Sequence, residues 1–306
     1  MDRRATPGRP LTDPGAGLFG PGSLTWRLDR EAFLLLGVGP RALLLQIAHP
    51  AVAAGVADHS TFRDDPWARL AGTLRSYLRI VYGTTPEARA EVRRLNVLHR
   101  TVRGRREDGG SYDAADPALR LWVHATLVDS SLATADAWLG PLGTAGRAQV
   151  YAESIPVGRA FGIPAGLLPP DVAAFDAYVA SMLEPAGPIH PSPLARELAS
   201  VIVHPRPGPA IRTMTAAAGD RLPASLLGAV TAAGDRLPAL TVSWLLWPSI
   251  GLLPARVRAA YELPWGPVER GVAAWLVASW RGWNAVLPGW FRHMPQARAA
   301  DRRLAG

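Results

Sequence analysis

At Asp65-Pro66, Thr85-Pro86 and Asp116-Pro117 this chain sets a capping residue directly before a proline. A short polar side chain satisfies the free N–H groups of a helix's first turn, and proline at the first helical position gives up no hydrogen bond there. Glycines stand where such helices would close, at Gly83, Gly104 and Gly140. The spacing predicts helices over about 66–82, 86–103 and 117–139. An earlier apolar helix is expected from about 31 to 57, broken around Gly37–Pro40 and kinked at Pro50. Later helices are expected near 145–161, 171–183, 192–203, 224–233, 239–253, 255–262 and 266–283. Alternating apolar and polar runs are nearly absent, so the fold class expected is all-α, a multi-helix bundle.

Residues 1–22 read as a flexible N-terminal arm, rich in Pro and Gly and without the apolar segment of a signal peptide. Residues 23–306 read as a single helical domain. The Pro-rich stretch 185–213 is expected to join two helical layers within it. AAGDRLPA occurs at 217–224 and again at 232–239, a local duplication and not a solenoid. The longest uncharged run, LPALTVSWLLWPSIGLLPA between Arg236 and Arg256, is interrupted by Pro238, Pro248, Gly251 and Pro254. It is expected to form a buried helix–turn–helix and not a membrane span, in a soluble, cytoplasmic protein.

Composition narrows the chemistry. The chain has no Cys, which removes thiolate nucleophiles, disulfides, iron–sulfur clusters and thiolate-ligated haem. It has no Lys, which removes a Walker A lysine, a Schiff base and an S-x-x-K pair. His, Asp, Glu, Arg, Tyr and hydroxyl chemistry remain. The formal net charge is +8, but Arg is scattered and mostly alternates with Asp or Glu, so no nucleic-acid partner is expected.

On the helix from 86, Ala88, Val92, Leu95, His99 and Val102 fall three or four apart, on one apolar stripe. By spacing alone, His99 reads as a core histidine bonded to a carbonyl or carboxylate before it reads as a ligand. In DPALRLWVHATLVDSSLATADAWLG, His124 shares a face with Leu121 and Val128, while Asp129 lies among apolar and small residues. Asp129 is either ion-paired to an Arg or orients an imidazole. His49 precedes Pro50, and His59 ends the same helical stretch ahead of the polar loop Phe62–Asp65. Arg69 and Thr73, four apart, share a helix face and together suit a carboxylate or dioxygen; the alternative pairs Arg69 with Asp65.

The run from GPGSLTWRL through LLLQIAHPAVAAGVADHSTFRDDPWARLAGT, LHRTVRG and YDAADPALRLWVHATLVDS resembles the family of rubber oxygenase (latex-clearing protein) and MpaB-type oxygenases. The likeness is close over about residues 20–140 and looser at LPWGPVER and MPQARAADRRL. It implies a globin-like core holding haem b, with His99 of LHRTVRG as the proximal iron ligand. It implies that Arg69 and Thr73 lie on the distal side, Arg69 toward a propionate or dioxygen. His124 and Asp129 would support the ligand from outside, and His49 and His59 are further pocket candidates. Where rubber oxygenases carry a distal Lys immediately before the Thr, this sequence has Gly72. A Lys-capped iron is therefore excluded, and polyisoprene does not carry over as the substrate.

The function expected is a haem b-dependent oxygenase for an apolar, unsaturated, isoprenoid-like substrate, with dioxygen as partner and an unidentified electron donor. One alternative is a non-haem metal oxygenase or hydrolase built from His49, His59, His124 and Asp129. The other is a non-catalytic carrier of haem or an apolar ligand. The C-terminal tryptophans Trp244, Trp247, Trp265, Trp275, Trp280, Trp283 and Trp290 read as core or as a peripheral membrane contact.

Overall fold

The computed structural model describes residues 15–60, 66–204 and 243–305, with Ser225 and Gly228. The expected helix at 224–233, the start of that at 239, both AAGDRLPA copies, the Phe62–Asp65 loop and most of the N-terminal arm lie outside this range. The protein is mostly helical. Its α-helices are α1 Leu24–Asp29, α2 Ala32–Ile47, α3 Pro50–His59, α4 Pro66–Tyr82, α5 Thr85–His99, α6 Pro117–Trp138 and α7 Gly143–Ala160. There follow α8 Val172–Leu183, α9 Pro193–Val203, α10 Trp247–Gly251, α11 Ala255–Ala260, α12 Pro267–Val286, α13 Gly289–Arg292 and α14 Pro295–Ala305. Between α5 and α6 runs a short antiparallel hairpin, β1 Arg103–Arg105 and β2 Ser111–Asp113, which the helical pattern did not predict.

Of the caps read in the sequence, Asp116 is realised, whereas α5 is capped by Thr84, one residue before the expected Thr85. Thr84 and Glu87 form a reciprocal capping box on α5, and the Asp116 carboxylate accepts the N–H of Ala118 at the start of α6. Two expectations are corrected. α2 is not broken at Gly37–Pro40; it runs through Pro40 to Ile47, because its packing across α6 outweighs the local breaker signal. At Pro50 the chain does not merely kink but turns by 105° into a separate helix, α3, capped by His49.

α2 and α6 form the spine. Gly37 lets them close: a Cβ there would stand 2.6 Å from Thr134 Cγ2. On one side, Leu44, Leu45, Trp122, Leu198, Val257 and Tyr261 join the ends of α2 and α6 to α9 and α11. Ile189, from the Pro-rich stretch, is buried in the same cluster. On another, Val38, Leu132, Tyr151, Phe175 and Trp280 tie α2 and α6 to α7, α8 and α12. A third cluster, around Trp26, Leu78 and Tyr82, receives Met294 and Ala297 from the C-terminal end. Burying a side chain of Leu size contributes about 1.5–3 kcal/mol, so these clusters dominate the fold. No described helix is long and apolar enough to cross a membrane alone; α2 and α3 pass that test only together, across their bend.

Candidate functional site

α5 stops four residues before the end of its sequence pattern. It ends at His99, and the chain turns through Arg100 and Thr101 into the hairpin. Val102 therefore leaves the stripe and packs beside Ala51, Ala54 and Tyr112. Ala88 and Val92 are buried, and His99 is half-buried at the C-terminal end of the same face.

His99 finds no hydrogen-bond partner for its ring among the described residues. Burial, then the charges of Arg120, Arg69 and Arg94, lower its pKa, so the ring is neutral at physiological pH. The three guanidinium groups differ in what holds them. Arg94 is paired with Glu91 at 2.5 Å. Arg120, on α6, donates to the carbonyls of Phe161 at 2.9 Å and Ala114 at 3.2 Å. Arg69 donates to Ser60 Oγ at 3.2 Å and to the Thr73 hydroxyl, which in turn donates to the Arg69 carbonyl at 3.1 Å. Neither Arg69 nor Arg120 meets a carboxylate among the described residues; Asp65, the alternative partner of Arg69, lies outside them. Arg69 is exposed, yet burial lowers its pKa.

His124 sits one turn beyond Arg120 on α6. Its Nε2 is buried without a partner. Gly158 on α7 makes room for the ring: a Cβ there would lie 3.3 Å from Nε2 and 3.1 Å from Leu168. Burial holds its pKa down to about 4. Asn96 on α5 donates to the carbonyl of Ala160 at the end of α7 at 2.9 Å. The ends of α5 and α7 and the start of α6 thus meet at one junction, which carries both partnerless imidazoles.

The remaining candidates are employed elsewhere. Asp129 accepts from Arg41 at 2.7 Å, and Arg41 also donates to Ser130 and to the carbonyl of Leu252. The ion-pair reading of Asp129 is the one realised. His49 Nδ1 accepts the N–H of Ala51 at 3.2 Å, and its pKa is lowered to about 4 by burial, then by Arg106 and His190. His59 is exposed, with Nε2 3.3 Å from the Arg103 carbonyl and its ring edge-on to Tyr112. Among the described residues no three His, Asp or Glu side chains gather as a metal site, so His49, His59, His124 and Asp129 do not form the ligand set of the non-haem alternative.

Sequence reasoning missed Arg120, Gly158 and Arg41. Arg41 was visible as the one charged residue in AFLLLGVGPRALLLQI. Arg120 and Gly158 carried no local signal, since their roles arise only where α5, α6 and α7 meet.

Residues 26–283 match the family described as ER-bound oxygenase mpaB/B'/Rubber oxygenase, catalytic domain. The chain belongs to that family. Uncharacterized proteins of Mycobacterium bovis and of Mycobacterium tuberculosis are each 35% identical to it over 141 residues, 44% of this chain and 55% of theirs. The match thus spans about half the length of these curated relatives. No solved structure matches the chain.

Proposed function

We propose that this chain is a haem b-dependent oxygenase that acts on an apolar, unsaturated, isoprenoid-like substrate in a globin-like helical pocket. The observation that carries this reading is a neutral imidazole, His99, with no ring partner among the described residues, under the charge of two guanidinium groups, Arg69 and Arg120, that meet no carboxylate among those residues. That donor set fits a b-type haem: one neutral nitrogen for the metal and two cationic forks for the propionates. Haem, when bound, supplies the redox chemistry with dioxygen that these side chains lack.

The chain's own residues do the rest. His99 would hold the metal from the end of α5. Arg69 and Arg120 would orient the carboxylates. Thr73, on the Arg69 face of α4, would line the oxidant's side, its hydroxyl accepting from the Arg69 guanidinium and donating to the Arg69 carbonyl. His124, kept neutral by burial, lines the junction, and Asp129, clamped by Arg41, fixes the position of α6 across α2. Apolar neighbours such as Leu168 exclude water and suit an apolar substrate.

The test is dioxygen uptake by the haem-loaded chain supplied with isoprenoid alkenes and an electron donor, with product analysis. Cleaved or oxygenated alkene in proportion to dioxygen consumed supports an oxygenase. Haem binding without turnover of any alkene leaves the carrier reading in its place.

A further inference from the structure

α12 spans 20 residues, roughly 30 Å. Its inner side is anchored by Ala273 and Trp280. Its outer side is mainly apolar: Val268 is 66% exposed, Trp275 62%, Trp283 60% and Val286 72%. Gly271, Ala278 and Gly282 lie on the same side, and the half-buried Ser279 is the polar residue between Trp275 and Trp283. Trp290, in the short helix α13, is a further 57% exposed. Scattered exposed apolar residues are ordinary; a continuous exposed apolar face along a whole helix marks a surface that meets something other than water.

The charges on this helix are one-sided. Arg270 and Arg281, three turns apart, flank one edge of the apolar face. Among the described residues each guanidinium donates only to backbone carbonyls, Arg270 to Trp265 and Arg281 to Ala137 and Asp136, and neither meets a carboxylate. The helix's one acidic residue, Glu269, accepts the N–H of Gly266 at 2.7 Å and caps the helix start. The face therefore offers apolar area, indole rings and uncompensated positive charge. A second copy of the chain would bring this face no carboxylate, since two-fold pairing sets the same Arg-edged surface against itself. Anionic lipid headgroups bring the missing charge, and the headgroup boundary is where tryptophan and a flat amphipathic helix are favoured.

We propose that the outer face of α12 docks the protein flat on an anionic lipid surface, with Trp275 and Trp283 entering the headgroup boundary and Arg270 and Arg281 meeting lipid phosphates. This inference stands independently of the haem site. It accounts for how the chain would reach a substrate that partitions into membranes.

The experiment is flotation of the full chain with phosphatidylglycerol-containing vesicles and with pure phosphatidylcholine vesicles, at low and high salt. Most of the protein should float with the anionic vesicles at low salt, and less at high salt. Trp275→Ser with Trp283→Ser should lower the bound fraction at least tenfold. Arg270→Gln with Arg281→Gln should lower it several-fold and flatten the salt dependence. All four positions are exposed, so unchanged circular dichroism confirms that loss of binding is not unfolding. The proposal is overturned if the wild-type chain does not float. It is equally overturned if the Trp variant floats as well as wild type. A dimer in light scattering that Trp275→Ser dissociates, without flotation, assigns the face to a second copy instead.

Discussion

Asp29 is buried at the end of α1, where it accepts the Tyr77 hydroxyl at 2.5 Å. Burial raises its pKa from 3.8 to about 7, against the lowering effect of that hydrogen bond. Between about pH 4 and 7 the folded chain holds a proton that the unfolded chain releases, so this group makes stability fall as pH rises through that window. Burial acts oppositely on His49, His124 and His293, whose pKa values lie at about 4; their contribution is lost as pH falls below 6.5. Comparing Asp29→Asn with wild type cancels the histidines. The variant should lose about 2–3 kcal/mol less stability than wild type between pH 5 and pH 8 in urea unfolding. Equal losses would show that Asp29 is ionised at little cost. Arg41→Met should destabilise by roughly 3 kcal/mol, because it strands Asp129, Ser130 and the Leu252 carbonyl together; a change in the midpoint worth under ~1 kcal/mol would mean that water replaces the guanidinium.

The crossing of α2 and α6 is the element contact on which the rest hangs. Gly37→Val drives a branched side chain into Thr134 and Trp138 and should cost about 1–3 kcal/mol by overpacking. Gly39→Ala, with open space at its Cβ, should cost little. If both variants melt alike, the close approach is not what Gly37 provides. The sequence made the helix starts legible because a cap and a proline are local chemistry; α6 begins at Pro117, where Asp116-Pro117 puts it, and α5 at Thr85, one residue before Pro86. Helix ends were less legible. α5 stops at His99 and not at 103, because the following residues are drawn into a hairpin whose Tyr112 packs on α3 and donates to Asp58 at 2.5 Å. Pro40 misled in the other direction, since nothing local to α2 reports the packing that carries the helix through it. The same division holds for the site. The stripe Ala88, Val92, Leu95, His99 was readable, whereas the guanidinium of Arg120 reaches His99 only through the tertiary meeting of α5 with α6.

At the scale of the whole molecule, the C-terminal end closes onto the first helices. Arg303 donates to the carbonyls of Gly15 and Tyr82, Arg30 pairs with Asp301, and Met294 N–H donates to the Arg30 carbonyl at 2.8 Å. This closure fixes α4, the helix of Arg69 and Thr73, against α1 and α14. The junction of α5, α6 and α7 is held separately, by Asn96, Arg120 and Gly158. In the proposed function, His99 is the point at which a haem would join these two halves. The direct measurement is the visible absorption spectrum of the chain titrated with haemin, for wild type and for His99→Ala, with His190→Ala and His204→Ala as controls. A Soret band should form at one haem per chain in wild type and both controls, and be lost or shifted in His99→Ala. A wild-type chain that takes up no haem, or a His99→Ala variant whose Soret band matches wild type, contradicts the account.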